Sequence, residues 1–215
     1  MGLFSLTKGG MLATIQAVAQ IRSAGPSPAF AYPQVCCALL LIGDNKAVGR
    51  TQLSKMLKLG EGTIRTIIRH LSRANLVRST KQGCALTPKG LSLYKRLRTR
   101  LSKTHLVDAG QLALDSESTA LLVKRAAQRV KHGIEQRDAA VRAGAAGACT
   151  VLMKEGILIM PPGSDEWKSS LDNHLTKQLM SIFHPEQNDV IIIASANERT
   201  LSEYAAIAAG LTLLD

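Results

Sequence analysis

Aromatic residues are scarce in this 215-residue chain: three Phe, three Tyr and one Trp. Single-strand nucleic-acid binders stack successive bases on aromatic platforms, so that mode of binding is disfavoured. Cysteine is sparse too. Cys36, Cys37, Cys84 and Cys149 form no C-x-x-C pair and no regular framework. That argues against a secreted disulfide scaffold and for a reduced, cytoplasmic setting. No apolar run approaches the roughly 18 residues of a spanning helix, so no membrane partner is expected. The mildly apolar stretch from Gly9 to Ile21 is broken by Gln16 and Gln20 and makes a weak signal peptide. A myristoylation signal requires Ser or Thr at position 6, where Leu6 stands. Met11 is a second candidate start.

Acids are nearly missing from the first half. Met1 to His105 holds 17 Lys+Arg against two acids, Asp44 and Glu61, whereas Leu106 to Asp215 holds 10 against 14. One half is built to meet a polyanion and the other is not. With 46% hydrophobic and 20% charged residues the chain buries a core, which excludes intrinsic disorder.

Ser23-Ala-Gly-Pro-Ser-Pro28 breaks any helix, because its prolines remove donors and hold the chain extended. A boundary is expected there. Val35, Ala38, Leu39 and Ile42 then recur at helical spacing, and Gly43-Asp44-Asn45 closes that helix. A second short helix is predicted near Arg50 to Lys58, with Leu53, Met56 and Leu57 inward. Leu59-Gly60-Glu61-Gly62 makes a tight turn. A third helix runs from about Gly62 to Ala74, with Ile64, Ile67, Ile68 and Leu71 facing the core.

The opposite face of that third helix carries Thr66, Arg69 and Arg73, flanked by Arg65 and His70, and no acid. An Arg- and Thr-bearing helix is what the major groove admits and what base edges can pair with. Thr63 joins this set, and Thr51 and Gln52 open the second helix where they can touch phosphate. An ordinary surface helix would carry similar charges. The next residues break the tie. Leu76 to Ser79 and Cys84 to Thr87 read as a hairpin around Thr80-Lys81-Gln82-Gly83, with Arg78 and Lys81 as backbone contacts. Thr87 then caps a basic helix that starts with Pro88 and runs to about Thr104, with Leu91, Tyr94, Leu97 and Leu101 along one side. That stripe is core or a dimer seam.

Residues from about Pro26 to Leu101 resemble archaeal winged helix-turn-helix transcriptional regulators. The likeness lies in Leu59-Gly-Glu-Gly-Thr-Ile-Arg-Thr-Ile-Ile-Arg-His-Leu71, the hairpin and Leu86-Thr-Pro-Lys-Gly90. Gly133-Ile-Glu-Gln-Arg-Asp-Ala-Ala140 and Ala143-Gly-Ala-Ala-Gly147 resemble the companion domain of that two-domain family, a domain of unknown function. The resemblance implies a DNA-binding regulator and names no effector.

In the second half, Leu106 to Ser118 reads as a linker. Strands are predicted at Thr119 to Val123, Ala148 to Lys154, Gly156 to Met160 and Val190 to Ala194. Helices are predicted over Ala126 to Ala143 with a break at Gly133, from Ser164 or Asp165 to Phe183, and over Thr200 to Ala209. The order β-α-β-β-α-β is that of a ferredoxin-like sandwich. Glu135, Arg137 and Asp138 sit close on one helix and form a candidate ligand clamp or catalytic pair, although a solvated helix face explains them as well. Gly144 and Gly147 fit no phosphate loop, His132, His174 and His184 have no metal-like spacing with Cys149, and no Ser-His-Asp set stands out.

The expected protein is therefore α+β. It has an N-terminal extension (1–25), a winged helix-turn-helix domain (26–105), a linker (106–118) and an α+β domain for dimerisation or small-molecule sensing (119–215). The expected partners are double-stranded DNA and a second copy of the chain. No catalytic residue, metal or cofactor is assigned. The alternatives are an enzyme in the second half targeted by the basic half, and a binder of duplex RNA.

Overall fold

The computed structural model describes residues 10–21, 30–161 and 171–214. They divide into two compact units between Leu97 and Arg98. The chain break expected at Ser23 to Pro28 lies outside the described residues, as do Ser164, Asp165 and Trp167. Among the described residues, no helix is long and apolar enough to cross a membrane.

The first unit contains α1 (Met11–Ala19), α2 (Tyr32–Asp44), β1 (Ala47–Val48), α3 (Arg50–Leu57), α4 (Glu61–Arg73), β2 (Val77–Thr80), β3 (Gly83–Leu86) and α5 (Pro88–Arg98). Its core is the inward stripes read from the sequence: Val35, Leu39 and Ile42 of α2, Leu53 of α3, and Ile64, Ile67 and Leu71 of α4, each at most 1% exposed. Burying a side chain of this size stabilises by roughly 1.5–3 kcal/mol. Two features go beyond that reading. The extension supplies α1, which packs Met11, Ile15 and Val18 against α2 and α4. The hairpin gains a third strand, β1, so the antiparallel order is β1-β3-β2.

Gly83 explains how β1 fits. Its φ is +125°, and a Cβ there would lie 2.5 Å from the Val48 carbonyl oxygen, so only glycine allows β1 and the hairpin to meet this closely. The basic helix starts as predicted. Thr87 Oγ1 accepts from Gly90 N at 3.1 Å and donates to Asn75 O at 2.6 Å. Thr87→Ala removes both bonds, and chemical denaturation should show the first unit losing about 1–2 kcal/mol. The helix is shorter than expected. It ends at Arg98, and Leu101 instead bridges Val123 in the second unit. The expected stripe is also rotated: Leu93 and Leu97 are buried, while Leu91 is 42% exposed.

The second unit is a five-stranded antiparallel sheet with helices. It contains β4 (His105–Leu106), β5 (Glu117–Val123), α6 (Ile134–Arg142), β6 (Gly147–Lys154), β7 (Ile157–Ile159), α7 (Asn173–Phe183), β8 (Val190–Ala196) and α8 (Arg199–Leu211). Apart from the added strand β4, the element order matches the expectation, but the sheet does not. Its order is β4-β5-β8-β6-β7, so β8 separates β5 from β6. A ferredoxin-like sheet places the third strand of the motif, here β7, in that position. Burial explains the difference. All seven residues of β8 are buried, whereas β7 has three residues and leaves Ile157 58% exposed, so β8 takes the centre and β7 an edge.

Alternation assigns the two faces. Ala120, Leu122, Val151, Met153, Ile191 and Ile193 form one cluster with Leu175 and Leu179 of α7. The segment expected to be a linker joins this cluster through Val107, Ala109 and Leu112. Thr119, Leu121 and Val123 face α8, where the Thr119 and Ser202 hydroxyls are 2.6 Å apart and Gly210 sits against Leu121. The predicted start of helix α7 lies outside the described residues; within them Asp172 caps it by accepting from Leu175 N at 2.6 Å. Of the helix predicted over Ala126 to Ala143 only the part after Gly133 forms as α6; Gly133 has φ +76°, and the chain before it makes a single 3-10 turn at Ala127–Arg129.

Candidate nucleic-acid interface

At 100° per residue, Arg65, Arg69, Ser72 and Arg73 share one side of α4, and all four are exposed. The hairpin stands beside them. Thr80 Oγ1 donates to Gly83 O at 2.8 Å, which holds the two-residue turn Lys81-Gln82. Between helix and hairpin lies an open concavity of about 910 Å³, lined by these α4 residues, Ile68, the hairpin from Ser79 to Cys84, Gly49 and Arg50. Five cations line it (Arg50, Arg65, Arg69, Arg73 and Lys81) and no acid does. None of the five is ion-paired to a described residue. Burial pushes the Cys84 thiol at its edge up, with the Arg50 charge opposing, so the thiol adds no negative charge at neutral pH.

The structure thus brings together Arg65, Arg69, Arg73 and Lys81 from the residues singled out in the sequence. It adds Arg50, which sequence reasoning missed although its position opening α3 was a usable signal. Ile68, expected in the core, is half-buried and lines the concavity instead. Its place on the wheel, 100° beyond Ile67, lies at the edge of the apolar stripe.

The other candidates lie elsewhere. Thr51 Oγ1 donates to Glu61 Oε1 at 3.3 Å, so its hydroxyl is already engaged. Thr66 Oγ1 donates back to Gly62 O of its own helix at 3.1 Å. Gln52 and Arg78 are exposed and Thr63 half-buried, outside the concavity lining. His70 does not face outward at all. It is fully buried, with Nδ1 3.1 Å from Val18 O of α1, because it follows Ile67 by three residues and shares the inner side.

In the second unit, Glu135, Arg137 and Asp138 do not converge on a cavity. Arg137 Nη2 pairs with Asp138 Oδ1 at 2.9 Å and Lys131 with Glu135 at 3.8 Å, all with well-exposed side chains. The arrangement is a solvated helix face. Among the described residues, no group of three or more His, Cys, Asp or Glu is placed to hold a metal. All four cysteines are free.

Fold and surface together define a mixed α+β protein of two units. The first has a helical region and a small three-stranded sheet; the second is an antiparallel sheet with helices. Two family models each match part of the chain. Residues 35–92 match the family described as PH0730-like, N-terminal domain, and residues 114–213 match a domain of unknown function, DUF4443. Among solved structures, the chain is similar to the hypothetical protein PH0730 from Pyrococcus horikoshii OT3, at 26% identity and a TM-score of 0.67. That match covers 84% of this chain and 91% of the other, more than either unit alone supplies. A MarR family protein of Mycobacterium tuberculosis, Rv2887, matches at 19% identity and a TM-score of 0.30, over 41% of this chain and 63% of that one. No curated protein matches.

Proposed function

We propose that this chain is a cytoplasmic transcriptional regulator that binds double-stranded DNA through a winged helix-turn-helix. Helix α4 enters the major groove and the β2–β3 hairpin lies against the backbone. One observation carries the reading: five exposed cations line a single concavity without an acid among them. Like charges held this close repel one another, and a polyanion relieves that repulsion. In this reading Arg65, Arg69 and Arg73 contact base edges or phosphates, and Arg50 and Lys81 contact the backbone. The second unit serves dimerisation or effector sensing and performs no catalysis. A two-fold dimer would read two half-sites about one helical turn apart.

Competition at fixed salt tests the nucleic acid. A DNA duplex should displace a bound labelled duplex at lower concentration than an RNA duplex of the same sequence, because the A-form major groove is too narrow for α4. Equal or better competition by RNA would replace the DNA reading with the RNA one. Recovery of bound genomic fragments would then identify the operator.

A further inference from the structure

Helix α4 turns its histidine toward α1. The His70 ring is 0% exposed. Its Nδ1 lies 3.1 Å from the Val18 carbonyl, which only accepts, so Nδ1 carries the hydrogen and Nε2 is the acceptor. Nε2 is buried without a hydrogen-bond partner. The ring meets Phe30 edge-on, with centroids 5.4 Å apart.

The charges that act on the ring are both positive, Arg69 and Arg73. Helix α1 carries no titratable side chain, and Phe30 has none. Helix α2 contributes Tyr32, the buried thiols Cys36 and Cys37, and Asp44, which is engaged by Tyr94 Oη at 2.7 Å. On α4 itself the neighbours are Arg69 and Arg73.

We propose that His70 is a proton-operated latch between α1 and α4. Protonation puts a hydrogen on Nε2 where nothing accepts it, and α1 leaves α4 so that the charged ring reaches water. The release does not depend on the duplex-binding reading.

The sign follows from the two states. While α1 is docked, burial holds the ring's proton affinity down; the Val18 bond opposes this, and Arg69 and Arg73 add to it. Once released, the ring returns to the ordinary value of about 6.5. The released state therefore binds more protons. Docking is full above about pH 7 and weakens as pH falls through 6.5, by up to about tenfold per unit, until the docked ring also protonates.

Hydrogen exchange of the whole chain at pH 7.5 and pH 5, corrected for intrinsic rates, tests this. Exchange in α1 should rise roughly tenfold or more at pH 5 while β8 stays protected, and His70→Gln should abolish the rise. Unchanged α1 protection in the native chain, or an acid-induced opening that persists in His70→Gln, would overturn the latch. If that variant does not fold, the ring C–H resonances of His70 in the native chain decide. A midpoint below about 6.5 supports the proposal and one at or above it overturns it.

Discussion

Replacing Arg69 and Arg73 together by alanine should lower affinity for duplex DNA by roughly a hundredfold at fixed low salt. Each guanidinium that pairs with a base edge contributes about 1–3 kcal/mol of discrimination, and each that meets a phosphate contributes to counterion release. If both arginines contact phosphate, the slope of log affinity against log salt should flatten by about two. Stability should hold, because both side chains are exposed and neither is ion-paired to a described residue. Fluorescence anisotropy over a salt series, with thermal unfolding in parallel, measures both effects. Affinity and slope equal to those of the parent chain would remove α4 from the interface. Arg50→Ala and Lys81→Ala should each lower affinity less and act uniformly across sequences, as backbone contacts do.

The largest effect on stability is expected at Gly90. This residue lies buried in α5, and a Cβ there would run into the Leu76 carbonyl. The obstacle is backbone on both sides, so no rotamer change relieves it. The Leu76 carbonyl also accepts from Thr87 N at 3.0 Å, which ties it to the start of the same helix. Gly90→Ala should therefore destabilise the first unit by about 3 kcal/mol or more, at the upper end of what overpacking costs. For a unit of this size that lowers the unfolding midpoint by more than about 10 °C. Gly62→Ala provides the contrast. A Cβ at Gly62 meets nothing within 4 Å. That change should leave stability equal or raise it by up to about 1 kcal/mol, through helix propensity. Calorimetry and hydrogen exchange in α2 and α4 measure both. A Gly90→Ala chain as stable as its parent would mean that α5 does not pack on the Leu76 backbone as described.

Local order was largely legible from the chain. Periodicity placed α2, α3 and α4, and Thr87-Pro88 announced α5. Glu155-Gly156 announced the β6–β7 hairpin; both residues have positive φ. The candidate site was legible in part. Arg65, Arg69, Arg73 and Lys81 could be found because charge and helical phase are properties of the chain itself. His70 was misplaced although its phase, three residues after Ile67, puts it on the inner side; only its partner, the Val18 carbonyl of α1, lies some fifty residues away. Arg50 was overlooked although it opens α3 beside Thr51 and Gln52; the pairing of β1 with β3 then places it in the lining with the hairpin. The strand order of the second unit could not be read either, since β5, β6 and β8 are all apolar enough for the centre.

Residue order alone determined where most helices and strands lie, and that one half carries a surplus of cations that an acid-poor surface must display. Those outcomes depend on interactions within a few residues and on charge counts. Tertiary packing decided which strand took the middle of the sheet and which cations came to share a concavity. These depend on competition among distant segments for burial, and neighbouring residues carry no record of its result.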